Sequence, residues 1–333
     1  MRQYALVGKF KVDLSGICAK IISSMITLNK IKRYSVKKRV SKVKAGDFAK
    51  PPAARKSFLR FYDSLPNILK AKEMRATADA IVRAHRSGKA VIFMAGAHVI
   101  KCGLNPVVNE LIKKKIISCI CLNGAGMIHD FEVAFQAQTS EDVGANLKDG
   151  RFGMGRETAD FINEAVSNGV GEGFGLGESL AKKISESKLR HKELSLLYTA
   201  YKYKIPVCVF VGIGTDIIHQ HPSFNAALTA EGSLRDFYSL VDNVCRLHKG
   251  GVVLNFGSAV ILPEVFLKAL NLARNLGNKV TDFTAVTFDM MYLYRPAQNI
   301  CSRPVASGGK GYYIIGHHEI MLPLLAQAVI EKI

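Results

Sequence analysis

Four short turns rich in small residues carry the groups in this chain best suited to chemistry: Gly96-Ala97-His98, Asn123-Gly124-Ala125-Gly126, Gly212-Ile213-Gly214-Thr215-Asp216 and Asn255-Phe256-Gly257-Ser258. Each closes a short apolar run. Small side chains let backbone N–H groups approach a phosphate or ribose, and a helix beginning behind such a turn favours negative charge. Any one turn is weak evidence, because every parallel strand needs one; the four together point to a nucleotide crevice. The alternating glycines Gly171, Gly173, Gly175 and Gly177 follow no apolar strand, so they lack the setting of a dinucleotide fingerprint and read as a loop or lid. Gly309-Lys310 ends like a phosphate-binding loop, but Gly311 follows where Ser or Thr is needed and Pro304 stands in place of the first glycine.

Lys310 itself is flanked by Gly308, Gly309 and Gly311 and precedes the apolar run from Tyr312 to Ile315. A lysine on such a turn can enter a pocket, where loss of solvent lowers its pKa and frees an amine to attack an imine or carbonyl carbon. It can equally be a solvated turn residue. His219-Gln220-His221 with Asp216, and His317-His318-Glu319, offer the ligand types of a zinc hydrolase. No cysteine or HExxH helix joins them, so they read as loop histidines that hydrogen-bond a substrate or cofactor, and no metal is expected.

These residues need elements to hold them. From residue 89 onward, short β-rich apolar runs alternate with amphipathic helical patterns, which predicts a doubly wound α/β fold: a mainly parallel sheet with helices on both faces. Strands are expected at 90–95, 116–122, 206–211, 251–255, 279–287 and 311–315, and helices at about 104–115, 155–168, 177–204, 225–248, 261–276 and 319–332, with a further helical stretch at 56–88. In such a sheet ligands bind beyond the carboxyl ends of the strands, where the four turns fall. No internal repeat is visible.

The chain has 333 residues, enough to bury a core without disulfides or a structural metal. Its 46 Lys and Arg against 27 Asp and Glu give a net charge of +19, but residues 1–44 supply +11 of that. The body lacks a basic stripe interleaved with aromatics, so no nucleic-acid partner is expected. The seven cysteines form no CxxC pair and read as small buried hydrophobes of a reducing, cytoplasmic compartment. No apolar run is long enough to span a bilayer, and no membrane partner is expected. Residues 1–32 read as a basic, loosely ordered extension, with an amphipathic targeting or membrane-surface helix as the alternative, and 33–333 as one domain.

Asn123-Gly-Ala-Gly-Met-Ile-His-Asp130, Thr284-Ala-Val-Thr-Phe-Asp289, Arg303-Pro304, Ser307-Gly-Gly-Lys310 and Pro323-Leu-Leu325 stand in the order of the motifs of deoxyhypusine synthase. From about Tyr34 to its end the chain resembles that family. It is most similar to the deoxyhypusine synthase-like branch, through GAHVIK, TSEDVGA, GTDIIH and GSAVILPEVFLKAL as they stand between Gly96 and Leu270. The resemblance implies a Rossmann-like homotetramer, with NAD at the sheet edge and active sites shared across a dimer interface. NAD then takes hydride from spermidine, and a lysine attacks the resulting imine as diaminopropane leaves. The aminobutyl group passes to an acceptor amine, a protein lysine or a diamine, and the hydride returns.

Carried over by motif, Lys310 is the nucleophile. Gly96, Ala97, His98, Lys101, Asn123, Gly124, Ala125, Gly126, Gly257, Ser258, Thr284, Ala285, His317 and His318 fall at cofactor positions. His129, Asp130 and Asp289 fall at polyamine positions, with Asp216 and Glu264 as further anionic anchors. The sequence departs from the family at several of these. Gly96-Ala97-His98 replaces Thr-Ser-Asn, His129 replaces a glutamate, His317-His318 replaces Asp-Ala, and Gly308 replaces a tryptophan. The expectation is therefore an NAD-dependent aminoalkyl transferase acting on a polyamine or related amine. Rivals are a small-molecule polyamine synthase of homospermidine type, a non-catalytic nucleotide-binding protein on the same fold, and metal-dependent hydrolysis.

Overall fold

The computed structural model describes residues 57–333, residues 32 and 49–51, and the strands β1 (Tyr4–Val7) and β2 (Phe10–Asp13). The chain divides into two units, Met1–Ala45 and Gly46–Ile333. In the first, β1 and β2 pair antiparallel with Tyr4 opposite Asp13. The apolar stretch from Leu14 to Leu28 lies outside the described residues, as does residue 33, where the domain is expected to begin.

The second unit is built on β3 (Val91–Ala95), β4 (Cys119–Asn123), β5 (Val207–Phe210), β6 (Val252–Phe256), β7 (Phe283–Asp289) and β8 (Gly309–Ile315). All six are parallel, in the order β5-β4-β3-β6-β7-β8. The runs VIFMA, VCVF and VVLNF are buried throughout, as strands covered on both faces must be. The chain winds outward from β3 to β4 and β5, then returns beside β3 with β6 and winds the other way. The expected doubly wound α/β fold is what the chain adopts, and its direction reverses between β3 and β6.

Alternation along the strands divides the core in two. Val91, Phe93 and Ala95 join one cluster with Leu122, Phe256 and Phe288; Ile92 and Met94 join the other with Cys121, Cys208 and Val253. The first face is covered in part by α1 (Phe58–Ser64), α2 (Leu69–Arg86) and α3 (Asn105–Lys113). It is also covered by α4 (Gly124–Gln136), α5 (Arg156–Gly171), α6 (Leu176–Glu186) and α7 (Leu196–Lys202). The second is covered by α8 (Ala226–Cys245) and α9 (Ile261–Asn275), and the closing helix α10 (His318–Ile330) packs on the first. No helix among the described residues is long and apolar enough to cross a membrane.

Two helical expectations need correction. The stretch 177–204 is two helices, α6 and α7, because Ser195 caps α7 by accepting from the Tyr198 N–H and the segment between them cannot continue the ladder. The second small-residue turn is not a loop: α4 begins at Gly124, with the Asn123 side chain accepting from the Gly126 N–H at 2.8 Å.

Candidate functional site

The reversal between β3 and β6 places a topological switch point at their carboxyl ends, the usual ligand position in such a sheet. Buried aromatics pack beneath it: Phe256 stacks on Phe93 with ring centroids 5.2 Å apart and on Phe288 at 4.4 Å. Gly96 follows β3 and donates to the Phe256 carbonyl at 2.9 Å; a Cβ there would stand 2.5 Å from the Gly257 carbonyl oxygen. Gly257 follows β6 with φ +65°, and a Cβ on it would meet His318 Nε2 at 2.5 Å. Only glycines allow the two turns and the start of α10 to approach this closely.

His318 is 4% exposed, packs edge-on against Phe256, and has its Nδ1 buried without a hydrogen-bond partner. Burial holds its pKa below the ordinary imidazole value, against the opposing pull of Asp289. The exposed His98 ring lies 5.9 Å from it. Asp289, buried at the end of β7, accepts from the Met291 N–H. Ser258 is buried as well, and its hydroxyl accepts from the Leu262 N–H at the start of α9.

Beside the second turn lies a hollow of about 480 Å³. Its carboxylates are Glu132, Glu141, Glu157 and Asp216, and Ile128, Phe135 and Phe152 supply apolar wall. Asp216 lies over Gly124, so closely that a Cβ on that glycine would collide with Asp216 Oδ2. That oxygen is buried without a partner, and burial pushes the Asp216 carboxyl up to about 6. Glu132 has its oxygens engaged by Thr139 Oγ1 at 2.5 Å and Thr158 Oγ1 at 3.2 Å, with His129 Nδ1 also 2.5 Å from Thr139 Oγ1. Burial opposes its charge, but the neighbouring His129 and the hydroxyls of the two threonines prevail and hold it below the ordinary carboxylate range. Ala125 and Lys101 also line this hollow.

Several sequence-derived assignments are thus brought together: Gly96, Ala97, His98, Gly257, Ser258, Asp289, His317 and His318 at the switch point, and Lys101, Ala125, His129 and Asp216 around the hollow. Asn123, Gly124 and Gly126 form the start of α4 that joins them. Others are not. Lys310 is exposed, on the second residue of β8, opposite Thr284 at the amino end of β7. It faces a separate hollow of about 440 Å³ with Arg83, Lys89, Lys249 and Asp282. From there to the crevice edge is about 17 Å along the strand, so Lys310 does not reach the crevice of its own chain. Thr284 and Ala285 share that amino edge, because β7 runs on to Asp289.

Asp130 is also misplaced as a substrate ligand. It is fully buried and accepts from Asn105 Nδ2 at 2.9 Å, from the Ser195 hydroxyl at 2.5 Å, and from the Leu196 and Leu197 N–H groups. Its task is to fix the start of α7. Glu264, in the first turn of α9, is tied to Lys268, to Arg295 and to Asn299. Of the histidines weighed as metal ligands, His221 Nε2 contacts the Gly153 carbonyl at 2.8 Å, while His219 Nδ1 accepts from the Gly214 and Asp216 N–H groups.

Glu132, Glu141, Glu157, Phe135 and Phe152 were absent from the sequence-derived set. The signal that could have found Glu132 and Phe135 is their spacing from His129 and Ile128, which a helix brings to one face. For a dinucleotide, the residues present fit: two glycine turns pressed together at the switch point, and an orphaned buried His318 Nδ1 and Asn255 Oδ1 beside them.

Searches against protein-family models and against curated proteins each found no match. Solved structures do match in fold. Unliganded AgrE aligns with 15% identity and a TM-score of 0.51 over 79% of this chain and 33% of that chain. A point mutant of AgrE in binary complex with L-arginine aligns with 17% identity and a TM-score of 0.50 over 84% and 34%. A provisionally named deoxyhypusine synthase from Entamoeba histolytica aligns with 9% identity and a TM-score of 0.48 over 83% of this chain and 94% of its own. This chain spans about a third of the AgrE chains it matches. At these identities the likeness to the AgrE chains is one of fold.

Proposed function

We propose that this chain is an NAD-dependent enzyme acting on a cationic amine, with the dinucleotide in the crevice between β3 and β6 and the amine in the acidic hollow beside it. What carries the reading is adjacency: the crevice turns and the carboxylate-lined hollow meet at the start of α4, where Asp216 lies over Gly124. A diamine or polyamine is a row of cations spaced by methylenes. The hollow offers the complement, carboxylates of Glu132, Glu141, Glu157 and Asp216 spaced by Ile128, Phe135 and Phe152.

NAD, where bound, would supply a hydride acceptor for the carbon next to the amine nitrogen. The side chains do the rest. Glu132, its charged form held by two hydroxyls, anchors an ammonium group. Asp216, titrating at about 6, is the group in the hollow suited to holding or releasing a proton near neutral pH. His318, kept neutral by burial, offers its unpartnered Nδ1 to the bound ligand without adding charge.

The finer reading, aminobutyl transfer through a lysine imine, needs the Lys310 amine at the substrate. Within one chain the two lie at opposite edges of the sheet, so in this reading Lys310 serves the crevice of a second copy, in an assembly with shared sites. The test is incubation with NAD and labelled spermidine followed by borohydride. Label fixed on Lys310 supports transfer; reduced cofactor without label supports amine oxidation alone; neither product overturns the proposal. For sharing, mixing Lys310→Ala chains with His318→Ala chains is expected to restore labelling that each lacks alone.

A further inference from the structure

Away from this site, the second core cluster holds a group of sulfurs for which the chemistry above has no use. Cys119 and Cys121 are two residues apart on β4 and share a face of the sheet, while Cys208 on β5 pairs in register with Cys121. All three are 0% exposed, and their sulfurs lie within 4.8 Å of one another. None is in a disulfide. On the other side of β4, Met94 of β3 is opposite Cys121 in register and fully buried in the same cluster. A row Met94, Cys121, Cys208 therefore crosses three strands, with Cys119 alongside.

Among the described residues, no other group of three His, Cys, Asp or Glu converges in this way. An ion bound by three sulfurs at about 2.3 Å holds them about 4 Å apart, which small side-chain rotations would reach from the spacing observed. The surroundings restrict which ion. Ala90, Ile92, Leu240, Val244 and Phe266 belong to the same apolar cluster and offer no ligand. The nearby Asp236 accepts at Oδ2 from the Gly177 and Val209 N–H groups at 2.9 and 2.8 Å. Zinc is suited to four strong ligands, and this cluster supplies three thiols and one weakly donating thioether. A soft ion content with thiolate and thioether is suited.

We propose that Cys119, Cys121 and Cys208 bind one monovalent copper ion, with the Met94 thioether as a further donor. Each sulfur that binds as a thiolate loses its proton to solvent, and the ion keeps its charge state, so no oxidant or reductant takes part. The proposal is independent of the proposed enzyme activity.

The full chain, produced in copper-supplemented cells and kept reduced and anaerobic, is challenged with a coloured Cu(I) chelator. One copper ion per chain is expected to survive the challenge, with a copper X-ray absorption spectrum of sulfur neighbours only. Cys208→Ala and Cys119→Ala are expected to lower the affinity at least a hundredfold, while the double variant Cys18→Ala, Cys245→Ala retains it. Copper stripped from the parent chain as readily as from Cys208→Ala overturns the proposal. So does a spectrum dominated by nitrogen or oxygen neighbours, a result that needs no variant to fold.

Discussion

Asp130 and Gly257 illustrate how far a residue's type reveals its task. An aspartate following Gly-Met-Ile-His in a recognised motif reads as a substrate ligand, yet Asp130 spends both oxygens on α7 and its neighbours. Its partners lie 25 to 67 residues away, from Asn105 to Leu197, and local sequence does not carry them. Removing it strands those donors, so Asp130→Ala is expected to cost about 3 kcal/mol of stability in denaturant unfolding. Gly257 was legible, because a glycine after a strand at the switch point signals close approach. With φ +65° and His318 against its α-carbon, Gly257→Ala is expected to cost about 1–3 kcal/mol, part of it recovered when His318→Ala is added. Lack of recovery would assign the whole cost to the backbone.

At the scale of elements, the strands were legible because parallel strands buried on both faces are continuous apolar runs, and β3, β5 and β6 fall within a residue or two of their expected ends. Helix α4 was not. Its two glycines in the first turn look like a loop, so the helical spacing that brings Glu132 and Phe135 onto one face with His129 and Ile128 went unread. Loss of the cap in Asn123→Ala is expected to cost about 1 kcal/mol. Asp216 acts where this helix meets the hollow. Its folded pKa of about 6 lies above the unfolded value of about 3.9. The folded chain therefore holds the extra proton between those values, and the Asp216 contribution to stability falls as pH rises through that window. For the same reason amine affinity is expected to weaken as pH drops below about 6. Asp216→Asn should remove that pH dependence, as calorimetric titration of spermidine at pH 5 and 7.5 would reveal.

For the whole molecule, strand order decides which residues can meet. Lys310 stands at the amino end of its strand, and in a parallel sheet that end lies at the edge away from the ligand; with Lys310 read just ahead of the run from Tyr312 to Ile315, that polarity was readable without coordinates. The resemblance, which concerns an assembly, pointed instead to the cofactor. A single chain separates the two by a full strand, so the proposed dinucleotide site is built from one chain without Lys310. The account therefore rests on the crevice between β3 and β6, and calorimetric titration of NAD into the parent chain, His318→Ala and Lys310→Ala tests it most directly. Saturable binding of one NAD per chain is expected, weakened about tenfold or more by His318→Ala and unchanged by Lys310→Ala. Binding that ignores His318→Ala but is lost in Lys310→Ala would place the dinucleotide at the opposite edge and contradict the account.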